Sequence, residues 1–405
     1  MLQAIARLPT HQERYRLLRY AFWIKRISGL ITRRFEAFFD LLRFISPTET
    51  PFPNLRALGW SIYPSFLRFL PLFVSPRIAE FSVVLFQDAS FDPKTMEWDY
   101  LAATVAALPP FLREFTLRVN HPDLKSGRLK AEVLSMAQRC GPTLTHLETD
   151  LEPSTVMVRH VMRLPNLRTW RAYGNLLPAT FTPSPEAPTY LPALRSLAFA
   201  ATNTYDWIIF LASSHPTMTL VRSTLTNLNL SGHHDVDPAL ISQVCAFTSL
   251  TDLNVWCTCP QDRCVFALTD DDLSNLSLAL PRLESLMLGH QCDKNACKTT
   301  FRSLLFLSAR CPNLAFIAVH FNTEQITNDI RSLFETEDPS LKELRECPTR
   351  CQVVTFSVSK TPLSLAGSDE LQVVKRGFLN VFPRLRGISR KYGRTWQCLT
   401  DALEK

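Results

Sequence analysis

The stretches STLTNLNL (residues 223–230) and TSLTDLNV (residues 248–255) share the pattern that decides the fold. In each, a leucine is followed three positions later by a second leucine and two positions after that by another apolar residue. Eight further copies occur, and each of them opens with a proline. The first leucine or isoleucine of the ten copies lies at positions 55, 78, 112, 144, 167, 194, 225, 250, 283 and 314, at intervals of 23 to 34 residues. The chain is therefore built from a repeated unit.

The pattern within and between the copies predicts what each unit contains. Inside a copy, apolar and polar residues alternate, as in a half-buried strand, whereas the intervening sequence has the period of three to four that is typical of a helix. Two sites have typical signals of a helix start. Asp237 is followed by Pro238, and Thr269 is followed three residues later by Asp272. A further helix is expected from Phe301. These features predict an α/β leucine-rich-repeat solenoid, an irregular horseshoe with parallel strands on the concave face and helices on the convex face.

Three segments follow from this interpretation. We expect an N-terminal helical linker or cap over residues 1–48, the leucine-rich-repeat solenoid over residues 49–382, and a C-terminal cap over residues 383–405. The ends of a solenoid need such covering elements, because a terminal repeat has a neighbour on one side only.

Charge and composition narrow the class of protein. The net charge is +7, and residues 1–50 hold nine basic and four acidic residues, so five of the seven charges lie there. This basic region offers a surface for nucleic acid or an acidic membrane, but a solvated helix face or a docking face for a protein is favoured, and no nucleic-acid partner is expected. No apolar run reaches the roughly 18 residues that cross a bilayer, so no membrane association is expected. The 11 scattered cysteines favour a reducing compartment, the cytoplasm or nucleus.

No motif for catalysis or phosphate binding is present, and the chain has only 11 glycines. We therefore expect no catalytic residue and no cofactor. Two loops after neighbouring strand phrases are rich in zinc-ligand side chains, and zinc binding is one interpretation. Free reduced thiols are the favoured one, so no metal site is predicted. The side chains of these loops are Cys257, Cys259, Cys264, His290, Cys292 and Cys297.

The phrase also predicts which side chains a partner meets. Residues that flank the second leucine project from the concave face, since neighbouring side chains of a strand point to opposite sides. Trp256 is the preferred anchor, because tryptophan is frequent at interface hot spots, with burial by the following Cys-rich loop as the alternative. The predicted partner-binding residues are Arg118, His146, Glu148, Asp150, Arg171, Tyr173, Asn227, Asn229, Asp252, Asn254, Trp256 and His320.

Several phrases together resemble the fungal leucine-rich-repeat proteins that usually carry an F-box. ERYRLLRYAFWIKRISG (13–29) looks like the helix that links an F-box to the first repeat, and PFPNLRALGW (51–60) like the first strand phrase. FRSLLFLSARCPNLAFIAVHFN (301–322) resembles a late helix and strand, and the segment from CQVVTFSV (351–358) onward resembles the terminal strand and capping helix. The resemblance covers nearly the whole chain.

The resemblance implies a substrate receptor of a cullin ubiquitin ligase, which docks on a Skp-type adaptor through its F-box. Residues 1–48 are too few for both an F-box and the linker helix, so we expect adaptor and cullin binding only if an F-box precedes this sequence. A leucine-rich-repeat scaffold or inhibitor without a ligase connection is the alternative. A hydrolase or transferase is the third hypothesis, and no clustered acid–base set favours it.

Overall fold

A computed structural model describes most of the repeats. The residues it describes are 10–46, 50–86, 98–119, 127–173, 190–200, 208–209, 211–212, 218–232, 236–257, 266–290, 298–324, 326–335, 352–353, 355–358, 365, 367–385, 387–390 and 399–401. The chain divides into two compact units. Unit 1 comprises Met1–Gly174 and Pro185–Leu194, and unit 2 comprises Asn175–Ser184 and Arg195–Lys405.

Unit 1 contains a parallel sheet whose strands pair in the order of the sequence. The strands are β1 (Arg26–Leu30), β2 (Ala57–Ile62), β3 (Glu80–Leu85), β4 (Glu114–Arg118), β5 (His146–Thr149) and β6 (Thr169–Tyr173). The helices are α1 (His11–Trp23), α2 (Glu36–Ile45), α3 (Trp98–Ala106), α4 (Gly127–Cys140) and α5 (Thr155–Val161), with 3₁₀ segments at Arg33–Phe35 and Pro64–Phe73.

Unit 2 repeats the arrangement with its own parallel strands, again paired in sequence order. They are β7 (Ser196–Ala200), β8 (Asn227–Gly232), β9 (Asp252–Cys257), β10 (Ser285–His290), β11 (Phe316–Val319), β12 (Thr355–Val358) and β13 (Gly387–Arg390). The helices are α6 (Thr219–Thr224), α7 (Pro238–Val244), α8 (Asp270–Ala279), α9 (Phe301–Arg310), α10 (Ile326–Glu335) and α11 (Ser368–Val381).

The structure confirms an α/β protein in which parallel strands alternate with helices. Each of the ten sequence phrases leads into one strand, from β2 to β11, and the phrase leucines lie in the core. The predicted helix starts are also present: the Asp237 side chain accepts a hydrogen bond from the backbone N–H of Leu240 at 2.8 Å, and Thr269 and Asp272 form a reciprocal capping box. Local sequence therefore determines where most elements begin.

Strands lie within both of the segments that are expected to be caps. Within residues 1–48, helix α1 ends at Trp23 and the chain continues into β1, which pairs with β2. The residues of β1 include Ser28 and Gly29, which are poor helix formers, and this favours an extended chain there. Near the other end, β13 pairs with β12. Residues of both end segments thus extend the sheets.

Candidate functional site

Each sheet has one face whose side chains are not part of the core, and we call it the open face of that unit. In β4, β6 and β9, buried residues alternate with half-buried or exposed ones, and β8 alternates in the same way up to its last residue. The alternation follows from the two-residue period of a strand. The predicted site residues in these strands are at the half-buried or exposed positions, so they belong to the open face. His146 at the start of β5 is half-buried as well.

On the open face of unit 1, charged side chains converge on Glu148 in β5. The Arg118 Nε donates a hydrogen bond to Glu148 Oε1. The other carboxylate oxygen, Oε2, lies 3.5 Å from His146 Nε2 and 3.7 Å from a terminal nitrogen of Arg171. We call Arg118, His146, Glu148 and Arg171 the Glu148 cluster. Strand register produces it, because Glu148 pairs with Arg171 of β6 and His146 is two residues away on the same strand.

Further side chains support the rim of the cluster. The Arg118 guanidinium lies 5.8 Å from the centre of the Tyr173 ring, within range of a cation–π contact. Thr116 Oγ1 lies 3.3 Å from His146 Nε2. Asp150 Oδ2 accepts a hydrogen bond from the backbone N–H of Val119 at 2.6 Å and so ties the ends of β4 and β5 together. The six predicted residues of unit 1 therefore lie in one network.

The electrostatics of the cluster favour an ionised Glu148. Burial alone would raise the pKa of its carboxyl group, but hydrogen bonds with His146 and Arg118 and the charges of Arg118 and Arg171 outweigh burial, so the pKa lies below its usual range. The pKa of Arg118 is raised by Glu148, against the opposing effect of burial. Glu148 is thus ionised at neutral pH and is paired with the positive charges of Arg118 and Arg171.

Exposure divides the cluster into a support and a contact surface. The Glu148 side chain is 4% exposed, so it is too buried to form much of a contact with a partner. Arg118 and Arg171 are 38% and 41% exposed, and His146 is 24% exposed. Glu148 was predicted as a contact residue; the structure places it beneath the others, where it orients the two arginines.

A depression of about 130 Å³ lies on the same face of unit 1, on the β1 side of the cluster. Its floor is a row of small residues in register, Ser28, Gly59 and Ser82. Glu114 and the ion pair between Arg26 and Glu80, with 2.8 Å between nitrogen and oxygen, line it as well. The repeated leucine phrase does not predict this depression, and its signal in the sequence is a small residue at the same position of three successive strands.

The open face of unit 2 has a different chemistry. Asn227 and Asn229 of β8 lie opposite Asp252 and Asn254 of β9, and all four are half-buried. The Asn227 amide oxygen lies 3.4 Å from the hydroxyl of Ser196, which donates to it. The Oδ1 of Asn254 is shielded from solvent and accepts no hydrogen bond in the described part of the chain. This face carries amides where unit 1 carries paired charges.

Trp256 is neither fully exposed nor part of the core. It lies opposite Gly289 of β10, and a Cβ atom added at that glycine would be 2.6 Å from the indole Cζ3. The indole therefore packs directly on the Gly289 backbone, which leaves the ring half-buried. The alternative that the Cys-rich loop covers Trp256 concerns residues 258–265, which lie outside the described residues. His320 packs edge-on against Phe266, with 5.7 Å between ring centres.

The cysteine and histidine residues considered for zinc binding are only partly described. Cys257 is buried at the end of β9. Cys259, Cys264, Cys292 and Cys297 lie outside the described residues, as does the side chain of His290. Among the residues that the structure does describe, no three His, Cys, Asp or Glu side chains are grouped so as to hold a metal ion.

No protein-family model matches the chain, and no curated protein matches it either. Within the described residues, no helix combines the length and the apolar character needed to cross a membrane. The two open faces are therefore the features from which a function is inferred.

Proposed function

We propose that the protein is a binding module without catalytic chemistry, and that it holds another protein on its open faces. One observation carries the proposal: the Glu148 cluster presents two partly exposed arginines, a histidine and the neighbouring Tyr173 in fixed positions. Arginine and tyrosine are enriched in protein interfaces and at their hot spots.

Prior ordering of these arginines favours binding. A long side chain that becomes fixed on association loses roughly 0.5–1.5 kcal/mol of conformational free energy. Arg118 is already held by Glu148 through a hydrogen bond, and Arg171 lies close to the same carboxylate. A partner that accepts hydrogen bonds from their free N–H groups therefore meets a surface that is already ordered. Carboxylates, backbone carbonyls and phosphorylated side chains all have this chemistry.

The finer proposal is that the module recognises the substrate of an F-box-type subunit of a cullin ubiquitin ligase. Its support is the resemblance of the sequence phrases to fungal F-box leucine-rich-repeat proteins, together with the repetitive parallel β/α architecture. The alternative is a scaffold or inhibitor that occupies its partner. The two differ in whether a Skp-type adaptor and a cullin assemble with the full-length protein.

The experiment is an affinity purification of the full chain, compared with an Arg171→Ala variant. Arg171 is the better target, because it lies 3.7 Å from Glu148 while Arg118 donates a direct hydrogen bond to it. Arg331→Ala in α10 is the matched control, since it removes an exposed arginine far along the sequence. We expect at least one protein to be lost with Arg171→Ala and retained with the control.

Two results bear on the ligase connection. Recovery of an adaptor and a cullin with the full-length gene product supports the receptor role. Recovery of a partner without them supports the scaffold or inhibitor. If Arg171→Ala retains every protein that the wild type binds, the open face of unit 1 is not the binding surface.

A further inference from the structure

Helix α1 leaves its large aromatic side chains in solvent. Tyr15, Tyr20 and Trp23 are 64%, 72% and 70% exposed, and Phe22 is 50% exposed. Ala21 is the only fully buried residue of this helix. Helices of soluble proteins are stabilised chiefly by burying an apolar face, and contiguous exposed apolar surface commonly marks an interaction site.

The exposed residues form one continuous surface. Tyr15, Arg19 and Trp23 follow one another at intervals of four, and Arg16 and Tyr20 form a second row at the same spacing. Residues four apart are neighbours on a helix, so the two rows lie side by side. We call these five residues the α1 outer face. Arg16 and Arg19 are exposed, and neither forms an ion pair within the described part of the chain.

The other side of the helix is anchored. Thr10 and Glu13 form a capping box, with 2.8 Å between the Thr10 backbone nitrogen and a Glu13 carboxylate oxygen. The Asn54 side-chain amide donates to the Phe22 carbonyl oxygen at 2.9 Å. The Arg14 guanidinium lies 4.7 Å from the centre of the Phe44 ring. The α1 outer face is therefore held in position.

The composition of this face fits a protein better than a membrane. Tyrosine, tryptophan and arginine are the residues that dominate protein–protein hot spots. A helix that lies in a membrane interface separates its residues, with basic side chains on one face and apolar side chains on the other. On the α1 outer face Arg16 and Arg19 lie between the aromatic rings, so inserting the rings into lipid would also bury both guanidinium groups.

Charge selects among protein partners. The α1 outer face carries two positive charges, and the nearby Glu13 carboxylate is already used in the capping box. A second copy of the helix would bring arginine against arginine. Residues 1–9 contain Arg7 and no acidic residue, so they offer no complementary charge either. We propose that the α1 outer face is a docking surface for an acidic protein surface with apolar pockets, separate from the open faces.

The test is a selection of peptides from a displayed random library against the full chain. Two double variants remove the surface: Arg16→Glu with Arg19→Glu, and Tyr20→Ser with Trp23→Ser. The matched controls are Arg331→Glu with Arg376→Glu, which make the same charge change on α10 and α11, and Phe111→Ser, which removes a ring that is 45% exposed. Circular dichroism and melting curves check that every variant is folded.

We expect selected peptides with a net negative charge and at least one large apolar residue. They should bind the wild type and the controls equally, bind both surface variants at least about tenfold more weakly, and lose affinity as salt rises. Selection of no such peptide, or of peptides whose binding both surface variants retain, overturns the proposal.

Two further measurements address the other occupants. If the wild type dimerises in light scattering and both surface variants are monomeric, the occupant is a second copy and the proposal is wrong. If phosphatidylserine vesicles sediment the wild type but neither surface variant, the occupant is a membrane and the proposal is again wrong. Absence of both effects, together with the peptide result, supports it. None of these measurements uses an Arg171 variant. The proposal for the α1 outer face can therefore fail while the proposed function holds, and the reverse.

Discussion

The open faces of the two units are built from the same strand positions but carry different chemistry. In unit 1 a buried carboxylate, Glu148, holds two arginines in place. In unit 2 the corresponding strand positions carry three asparagines and Asp252, and Trp256 lies on the backbone of Gly289. The contrast teaches that the repeat determines where side chains point, whereas the interactions of each face depend on which residues neighbouring strands bring into register.

The largest effect is expected where the two sides of one strand are compared. Leu253 is 1% exposed in the core, and Trp256 is half-buried on the open face. Leu253→Ala leaves a cavity and is expected to lower the free energy of unfolding by about 2–5 kcal/mol. Trp256→Ala is expected to cost less, because the ring is partly in solvent. Urea unfolding of both variants measures the difference, and equal losses would show that Trp256 is a core residue.

Replacing one carboxylate on each open face, Glu148 in unit 1 and Asp252 in unit 2, compares how much each contributes to stability. Glu148→Ala leaves Arg118 without its hydrogen-bonded partner and two arginines facing one another, so we expect a loss of about 1–3 kcal/mol. Asp252 in unit 2 accepts from the hydroxyl of its neighbour Thr251 at 2.8 Å, and its variant Asp252→Ala is expected to cost less than about 0.5 kcal/mol. If Asp252→Ala lowers the free energy of unfolding as much as Glu148→Ala does, a buried carboxylate that stabilises its neighbours is not particular to unit 1.

The pH dependence of stability is expected to have opposite signs at two carboxyl groups. The folded state lowers the pKa of Glu148, so its stabilising contribution is present above the unfolded pKa of roughly 4.3 and is lost as the pH falls through the folded value. Burial, and then the charge of Asp270, raise the pKa of Asp329 in unit 2. Its contribution is present below the unfolded pKa of roughly 3.9 and is lost as the pH rises through the folded value.

Melting temperatures of two variants between pH 3 and pH 6 measure these contributions. Relative to wild type, Glu148→Gln is expected to destabilise at pH 6 and to lose that effect on acidification. Asp329→Asn is expected to stabilise at pH 6 and to lose its advantage at low pH. A parallel shift of either variant from wild type at every pH would remove that carboxyl group from the account.

A smaller stability effect than that of Leu253→Ala is expected at Gly289. Its Ala variant places a Cβ against the Trp256 ring, which is the end of a partly exposed side chain and swings outward. We expect a cost of about 1 kcal/mol. We also expect stronger acrylamide quenching of Trp256 fluorescence, obtained as the difference between each protein and the same protein with Trp256→Phe. Unchanged quenching in Gly289→Ala would contradict the packing of the indole on this glycine.

The strands were predictable because each phrase carries its own boundaries and its own alternation. Leu225 and Leu250 mark repeats without reference to the rest of the chain. The same alternation correctly predicted that Arg118, Arg171 and Trp256 lie on the side of the strand that is not in the core. Strand β1 was not predicted, since the segment around Ile27 lacks the leucine spacing and forms a strand through its pairing with β2.

Burial within the site was not predictable from the same pattern. The alternation alone makes Glu148 as exposed as Arg171. Only the register of β4, β5 and β6 shows that three side chains converge on the Glu148 carboxylate. The contact between Trp256 and Gly289 likewise joins residues of different repeats. Cross-strand contacts of this kind depend on distances that a single phrase does not contain.

The most direct test of the central claim is the dissociation constant of the complex with a purified partner, measured for the wild type, Arg171→Ala, Trp256→Ala and the control Arg331→Ala. We predict that Arg171→Ala weakens binding at least about tenfold while its melting temperature stays near that of the wild type, and that Arg331→Ala binds as the wild type does. An unchanged dissociation constant for both Arg171→Ala and Trp256→Ala would contradict the claim that the open faces hold the partner.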